Sequence, residues 1–345
     1  MPPPIAAMVR GRASWTTDED RERQMKGLLR AQFAPLLAIA VPIAPAAAQS
    51  VPNAPTGPIE TKYYANGPFA TTTTRSATAC DSKGNQCDIF YPSDIASSTT
   101  RMPLVVWANG TAATPDKYTY WLRHLASWGF VIVATRDQQT GYGNTALDSL
   151  AYMQAEEANP ASPFYHRIDF SHVGAAGHSQ GASGAANAMF HSNGVITTTV
   201  TFHLPSQMWC NPADNCLLTP TLTNGTGSIF YVSGTADGLI APDTQGSGTQ
   251  LNSQTAYYNA TPGAMPKAKA LLKGTNHNDI SGTPGCGLLG LLQSCNNGTY
   301  GYLGFPTAWL VWRLKGDAAA GAAFKSGSGE FFTATAWTGQ AGNIP

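Results

Sequence analysis

The sequence predicts an α/β fold in which helices cover both faces of a mostly parallel sheet. Two observations carry this prediction. From residue 103 to near the C-terminus, short apolar segments alternate with segments of helical length and pattern, and no linker divides residues 49–345. Strands that alternate with helices form parallel sheets, because each crossover helix packs on a face of the sheet. One α/β domain can have the length of residues 49–345.

The first elements follow from local composition. Residues 60–91, which include TKYYANGPFATTTT and CDIFYP, are predicted to be rich in β-structure. PLVVWANG (103–110) has the continuous apolar character of a buried strand, and FVIVAT (130–135) is the next strand. Between them, YTYWLRHLASWG (118–129) has amphipathic helical spacing and ends at a glycine.

The second half of the chain repeats this alternation. TALDSLAYMQAEEAN (145–159) is predicted to be a helix, HVGAAGHS (172–179) a strand, and the small-residue segment 180–191 a helix. TTTVTFH, SIFYVSG and AKALLKG are predicted as the following strands. PTAWLVWRLKGDAAAGAAF (306–324) predicts one long C-terminal helix.

Residues 25–48 have the pattern of a secretory signal peptide. A basic start is followed by an apolar run and by three alanines at 46–48, which match an A-x-A cleavage site. We therefore expect a secreted protein, extracellular or periplasmic, whose mature chain is a single domain of residues 49–345. We interpret residues 1–24 as the result of an over-long gene model. The alternative is that they are a long but genuine N-terminal region of the signal peptide.

The apolar run does not predict a membrane anchor. It is short and is interrupted by Pro35, Pro42 and Pro45, whereas a membrane-spanning helix needs about 20 apolar residues. The charge balance also excludes a nucleic-acid partner. The chain has 20 Lys plus Arg and 20 Asp plus Glu, without a basic patch. We expect a monomer.

The six cysteines predict disulfides. An even number of cysteines in an exported chain is typical of a disulfide framework. The simplest of the possible connectivities joins nearest neighbours: Cys80–Cys87, Cys210–Cys216 and Cys286–Cys295. No C-x-x-C or histidine spacing typical of a metal site is present, so we expect no metal.

The motif GHSQG at 177–181 makes Ser179 a candidate nucleophile. It matches G-x-S-x-G, in which a serine on a strained strand-to-helix turn projects its hydroxyl above the sheet. The flanking glycines are needed because side chains there would collide with the neighbouring strand and helix. The predicted strand before it and helix after it provide the confirming context. The alternative is a tight turn that needs glycine without any chemistry.

A serine nucleophile needs a base, and His277 is the candidate. In a triad whose residues occur along the chain in the order serine, acid, histidine, the acid and the base both follow the serine. Two histidines, His203 and His277, follow Ser179 by more than a helix length, and only His277 is preceded by a strand-end aspartate. His277 lies on the polar loop of LLKGTNHND. The alternative is a solvent-facing loop histidine.

Three aspartates could orient this base. Asp237, in SIFYVSGTADGLIAP, lies a few residues beyond a strand end, where ligand sites of open sheets gather. Asp214 lies in the loop between two cysteines, and Asp243 follows a proline, which makes both weaker candidates. Asp237 as a turn-capping residue is the alternative.

An oxyanion requires two backbone donors. The N–H of Gln180, directly after the candidate nucleophile, is one candidate. The loop of VVWANGTAATP after an early strand supplies the other, and Thr111 is chosen there.

VVWANGTAATP, GHSQGASG, SGTADGLIAP, GTNHND and AWLVWRLKGDAAA together resemble the secreted α/β-hydrolases of the bacterial cutinase and polyester-hydrolase group, with dienelactone-hydrolase and chlorophyllase-like relatives. The resemblance covers most of residues 49–345, roughly from the strand 103–110 to the predicted C-terminal helix 306–324. It implies an α/β-hydrolase fold with Ser179, Asp237 and His277 as the triad and Thr111 and Gln180 as oxyanion donors.

The resemblance also implies a substrate-binding residue. Trp209, in HLPSQMW, is similar to the tryptophan that lines the cleft in cutinase-like members, although it could equally be a core residue. The sequence departs from the group at two positions. Thr111 occupies a position that is often aromatic, and Gln180 one that is commonly methionine, which puts an aromatic clamp in doubt.

The expected function is a secreted serine carboxylic-ester hydrolase that forms an acyl-enzyme and uses no cofactor. The substrate would be an ester or polyester. No long insertion separates Ser179 from Asp237, which predicts an open cleft without a large lid. The alternatives are a serine amidase, a peptidase or an acyltransferase on the same fold, and a non-catalytic binding protein.

Overall fold

The computed structural model describes residues 54–210, 212, 215–244, 251–282 and 298–345. The predicted extension 1–24, the predicted signal peptide 25–48 and the predicted pair Cys286–Cys295 lie outside these residues, as does Asp214. No helix in the described ranges has the length and apolar content needed to cross a membrane.

The described residues form a mixed sheet of nine strands in the order β1-β2-β4-β3-β5-β6-β7-β8-β9. The strands are β1 Thr71–Arg75, β2 Cys87–Pro92, β3 Met102–Ala108, β4 Val131–Thr135, β5 Ile168–His178, β6 Ile196–Phe202, β7 Ser228–Gly234, β8 Lys267–Leu272 and β9 Trp337–Gly342. The six strands from β4 to β8 in this order are parallel to their neighbours. β1 and β2 at one edge and β9 at the other are antiparallel. The sheet is open and mostly parallel, which confirms the predicted fold class.

Eight helices in the described residues complete the fold. They are α1 Pro58–Tyr64, α2 Thr119–Ser127, α3 Asn144–Ala158, α4 Gln180–His191, α5 Thr219–Thr223, α6 Gln254–Ala260, α7 Gly304–Lys315 and α8 Ala318–Ala322. The predicted elements between residues 103 and 274 are all present, with ends displaced by a few residues.

Alternation along the buried strands divides the core into two layers. Val105 and Trp107 of β3 pack in one cluster with residues of α2 and α7. Leu104 and Val106, which point to the other face, pack with residues of α3 and α4. Because successive side chains of a strand point to opposite faces, a strand buried on both sides needs the continuous apolar run that β3 has.

The N-terminal part of segment 60–91 differs from the prediction. Its strands β1 and β2 are present, but residues 60–64 belong to α1 rather than to a strand. Pro58 occupies the first turn of α1, where proline suits a helix. The carboxylate of Glu330 accepts hydrogen bonds from the N–H groups of Ile59 and Glu60, both at 2.7 Å. This cap comes from a residue far along the chain, so local composition did not reveal the helix.

The prediction of one C-terminal helix over 306–324 is wrong. α7 ends at Lys315, and the following Gly316 has a φ of 69°, in the left-handed region that favours glycine. Asp317 then begins α8, because its side chain accepts from the N–H groups of Ala319 and Ala320. The chain continues into β9, an edge strand that the sequence analysis does not predict.

Two predicted disulfides are confirmed. Cys80 and Cys87 are joined, as are Cys210 and Cys216, with Cα atoms 5.7 Å apart in each pair. The first pair ties the start of β2 to the loop before it. The second closes a short loop that follows Trp209.

Candidate active site

Ser179 lies at the turn between β5 and α4, at the carboxyl edge of the sheet. Its backbone has φ 56° and ψ −128°, a conformation that L-residues adopt at a cost of about 1–3 kcal/mol. A Cβ atom on Gly177 would collide with the Gly181 carbonyl, and one on Gly181 would collide with the Ala108 carbonyl of β3. Both glycines are therefore required by close backbone packing, and together they hold the serine on this turn.

The structure brings Ser179, His277 and Asp237 together. His277 Nε2 lies 2.8 Å from Ser179 Oγ, and His277 Nδ1 lies 2.7 Å from Asp237 Oδ2. The three residues follow β5, β8 and β7, and the carboxyl ends of these parallel strands meet at one edge. A carboxylate only accepts, so it places the proton of a neutral His277 on Nδ1 and leaves Nε2 to accept the serine hydroxyl proton. This geometry allows the serine to be deprotonated by the histidine.

Asp237 is surrounded by donors and is 4% exposed. Its Oδ1 accepts from the N–H groups of Ile240 at 3.2 Å and Ala241 at 3.4 Å. Burial alone would raise the pKa of Asp237, but hydrogen bonds from His203 and His277 outweigh burial, and the net pKa is well below its usual range. Asp237 therefore remains ionised at neutral pH.

Asp243, the other aspartate candidate within the described residues, does not share this position. Asp243 accepts hydrogen bonds from Lys269 at 2.7 Å and Thr255 at 3.1 Å. These contacts explain Asp243 as part of a structural ion pair beside α6.

His203 is a second histidine on Asp237, a contact that the sequence pattern does not predict. Its Nδ1 lies 2.7 Å from Asp237 Oδ2 and its Nε2 lies 2.7 Å from the Tyr302 hydroxyl oxygen. The side chain is completely buried. One signal for this position was available, because His203 directly follows β6 and therefore lies at the same strand edge as Ser179.

The predicted oxyanion donors Thr111 and Gln180 lie on the loop after β3 and on the turn after Ser179. Gln180 is the first residue of α4, so its N–H has no partner within the helix. Thr111 follows β3, and among the described residues its N–H has no hydrogen-bond partner. Both residues line the same cleft as Ser179. Unpaired backbone N–H groups next to a reacting carbonyl can bind the negative charge that develops on its oxygen.

A second hydrogen-bond chain joins the loop after β3 to the loop of His277. Since a carbonyl oxygen only accepts, His178 Nε2 donates to the main-chain oxygen of His277 at 2.7 Å. The Tyr118 hydroxyl then donates to His178 Nδ1 at 3.0 Å and accepts from the Gly110 N–H at 3.1 Å. Burial, with the nearby histidines, places the pKa of His178 well below its usual value, so His178 is neutral as this chain requires.

The cleft above Ser179 has a volume of about 390 Å³ and a mixed polar and apolar lining. Trp209 lies along it with 48% of its surface exposed, and its ring N–H donates to the Leu239 carbonyl at 2.9 Å. Trp209 is therefore a cleft residue by position rather than part of the core. Cys210 and Cys216 also line the cleft, so their disulfide cross-links the part of the cleft wall that carries Trp209.

One group of described residues has the composition of a metal site. The ligand atoms of His203, Asp237 and His277 lie within 4.8 Å of one another. Both histidine Nδ1 atoms are at hydrogen-bond distance from the same carboxylate oxygen, and His277 Nε2 is at that distance from Ser179. These histidine nitrogens and this carboxylate oxygen are therefore engaged in hydrogen bonds.

An open, mostly parallel sheet with this strand-to-helix serine turn, and with a histidine and an aspartate at neighbouring strand ends, is an α/β-hydrolase fold. The family model described as PET hydrolase-like matches residues 37–237, more than half of the chain. The chain belongs to this PET hydrolase-like family, a family of ester hydrolases. The matched range contains Thr111, Ser179, Gln180, Trp209 and Asp237, whereas His277 follows it. The predicted resemblance to the cutinase and polyester-hydrolase group is confirmed.

Proposed function

We propose that this protein is a secreted serine carboxylic-ester hydrolase that works through an acyl-enzyme. The observation that carries the proposal is the contact of Ser179 Oγ with His277 Nε2 at 2.8 Å, in a histidine that Asp237 orients from its other nitrogen. Membership of an ester-hydrolase family supports the same reaction class.

In the first half-reaction Ser179 Oγ attacks the ester carbonyl carbon while His277 Nε2 takes the hydroxyl proton. The Asp237 carboxylate stabilises the imidazolium that forms. His277 then gives its proton to the leaving alcohol, and the acyl group remains on Ser179. In the second half-reaction water attacks the acyl-enzyme, with His277 again taking and returning the proton.

Negative charge develops on the carbonyl oxygen in both half-reactions. The N–H groups of Thr111 and Gln180 are proposed to hold it. Each such donor is worth about 2.7–4 kcal/mol of transition-state stabilisation. Because the N–H groups are part of the backbone, their positions depend on the turn at Ser179 and on the loop after β3.

The lining of the cleft supports the proposal that the substrates are carboxylic esters, including polyesters. Trp209 and Ile240 give it apolar surface, and it lies open beside Ser179. Thr111 and Gln180 are smaller or more polar than the aromatic residue and methionine typical of polyester-degrading relatives. We therefore propose esters with flexible acyl chains as better substrates than esters of aromatic acids, with no nucleic-acid partner and no cofactor in the reaction.

Secretion is part of the proposal. The two disulfides suit an oxidising compartment, and residues 25–48 carry the signal-peptide pattern. Residues 49–345 are proposed as the single catalytic domain that remains.

Hydrolysis of p-nitrophenyl butyrate by the purified protein and by its Ser179→Ala variant tests the function. We expect turnover by the parent protein and at least a 1000-fold lower rate in the variant, as for other serine triads. Ser281→Ala is the matched control, because Ser281 also lines the cleft but donates its hydroxyl to the Asn278 carbonyl. Retained activity in Ser179→Ala contradicts the proposal. A folded but inactive parent protein that an active-serine phosphonate labels at Ser179 would point to amide or acyl-transfer substrates.

A further inference from the structure

Two imidazoles lie at hydrogen-bond distance from Asp237 Oδ2, and one of them does not contact Ser179. His277 and His203 each place Nδ1 at 2.7 Å from this one oxygen. The ring centroids of the two histidines are 5.3 Å apart, and the ring planes are nearly perpendicular. A triad requires only one imidazole on its acid, so His203 is an addition to the arrangement.

We propose that His203 is a positioning residue of the triad, which fixes the Asp237 carboxylate toward His277 and takes up part of its negative charge. This inference rests on the function proposed above. It adds a second histidine to the machinery and gives it an effect on the pH range of the reaction.

The surroundings of His203 determine where its proton lies. Burial lowers the pKa of His203, and the hydrogen bond to Asp237 only partly offsets this, so the ring is neutral near pH 7. An ionised Asp237 accepts only, which places the single ring proton on Nδ1. Nε2 lies 2.7 Å from the Tyr302 hydroxyl oxygen. The Tyr302 oxygen also lies 2.9 Å from the Thr275 hydroxyl oxygen, so the outer end of the chain is anchored below the loop of His277.

The backbone of His203 supports a role beyond packing. Its φ of 54° lies in the left-handed region, which non-glycine residues rarely occupy. Ser179 has a similar φ of 56° at the neighbouring strand end. The His203 N–H donates to the Val232 carbonyl at 2.7 Å, which holds the residue at the end of β6. Such strain persists where the surrounding structure imposes it, and it is concentrated at functional sites.

The ionisable groups around the two histidines are Asp237, Asp279, His178 and Tyr302. In this set, a second N–H donor on Asp237 reduces the negative charge available to a protonated His277. A base that is harder to protonate stays active at lower pH. His203 is thus expected to extend activity to the acid side and to keep the carboxylate from rotating away from His277.

Two variants of similar size separate these effects from loss of packing. His203→Asn keeps a donor at the position of Nδ1, and asparagine tolerates a positive φ. His203→Leu removes the donor. We expect His203→Leu to lower kcat about 10-fold, to change KM less than about twofold, and to move the acid limb of the kcat/KM profile up by about 0.5–1 pH unit. We expect His203→Asn to restore most of kcat and to return the acid limb toward the wild-type position.

Equal pH profiles in the wild-type protein and in folded His203→Leu would overturn the proposal. So would a loss of kcat in His203→Asn as large as in His203→Leu. Tyr302→Phe is a further test, because it removes only the outer hydroxyl. It should reduce kcat less than His203→Leu does and leave the acid limb within about 0.3 pH unit.

A measurement that needs no activity separates this inference from the proposed function. In wild-type protein labelled with ¹⁵N-histidine, we expect a low-field, hydrogen-bonded Nδ1–H proton for His203 that disappears in His203→Asn. A His203 ring without a proton on Nδ1 overturns the positioning role even if His203→Leu does not fold. Absence of Ser179-dependent hydrolysis, with this proton present, counts against the proposed function alone.

Discussion

His178 donates its Nε2 proton to the main-chain oxygen of His277, so the residue before the candidate nucleophile holds the loop of the candidate base. The contact length is 2.7 Å, and His178 is buried. Its other nitrogen reaches the loop of Thr111 through Tyr118 and Gly110. One imidazole therefore ties together the three segments on which the proposed chemistry depends.

Removing the Tyr118 hydroxyl should disturb this connection without emptying the core. Tyr118→Phe leaves the Gly110 N–H and His178 Nδ1 without their shared partner. We expect kcat for p-nitrophenyl butyrate to fall about 10-fold, because the proposed oxyanion donor Thr111, next to Gly110, is less well placed, while KM changes little. Tyr120→Phe, two residues further on in α2, is the matched control. Unchanged kcat in Tyr118→Phe would show that the chain does not position the loop.

Much of the fold and the candidate site could be predicted from local sequence. The apolar runs of β3 to β8 predict a buried parallel sheet. The motif GHSQG predicts that Ser179 lies at a strand end. The order of serine, aspartate and histidine, each after a strand, predicted Asp237 and His277. In the structure Asp237 contacts His277, and His277 contacts Ser179. These features are local patterns repeated along one sheet edge.

The rest depends on contacts between distant parts of the chain. α1 is capped by Glu330, and the C-terminal helix breaks where Gly316 turns left-handed and Asp317 caps the next helix. His203 reaches Asp237 across the ends of two strands, and Tyr302 comes from a segment near the C-terminus. The spacing of residues in the sequence does not encode which side chains at the sheet edge contact one another. These contacts could therefore be identified only from the structure.

Glu60 makes the stability of the fold depend on pH. It is 1% exposed, its Oε1 accepts from the Trp337 ring N–H at 2.7 Å, and its Oε2 has no partner among the described residues. Burial, with a contribution from the charge of Glu330, raises the pKa of Glu60 from 4.5 to about 7. A carboxyl group that is more easily protonated in the folded state stabilises the fold at low pH. That contribution is complete below pH 4.5 and is lost as the pH rises through about 7.

Glu60→Gln should remove this dependence. The amide stays neutral, so the variant avoids a loss of about 3 kcal/mol that the wild-type protein incurs between pH 4.5 and pH 8. We expect a higher Tm than wild type at pH 8 and a smaller difference at pH 5, measured by thermal unfolding at both pH values. Glu156→Gln, on the partly exposed α3, should leave the pH dependence unchanged. Equal Tm changes with pH in wild type and Glu60→Gln would contradict an ionisable role for Glu60.

Trp209 should contribute to substrate binding rather than to stability. Its ring is 48% exposed along the cleft, so truncation removes a contact surface without opening the core. We expect Trp209→Ala to raise KM for p-nitrophenyl esters about three- to tenfold, which corresponds to one aromatic contact, and to shift Tm by less than about 3 °C. Met208→Ala, at an exposed neighbouring residue, is the control. A large drop in Tm with unchanged KM would make Trp209 structural.

The side chain of Gln180 should set how apolar a substrate the cleft accepts. It is 7% exposed, its Nε2 donates to Gln139 Oε1 at 2.8 Å, and its Oε1 is buried without a partner among the described residues. A buried, unsatisfied oxygen costs about 1–3 kcal/mol, and in a cleft it disfavours an apolar substrate group placed against it.

Gln180→Met keeps the approximate shape and the backbone N–H, and the exposed Gln139 can turn to water. We expect unchanged kcat for p-nitrophenyl butyrate, a KM for aromatic-acid esters lowered about three- to tenfold, and a higher Tm. Gln180→Glu is the opposing control, because it places a charge at the same point and should raise KM for the same esters. Comparing kcat and KM of the three proteins on aliphatic and aromatic esters decides the matter. If Gln180→Met lowers kcat on every ester alike, the side chain acts on the oxyanion donor rather than on substrate choice.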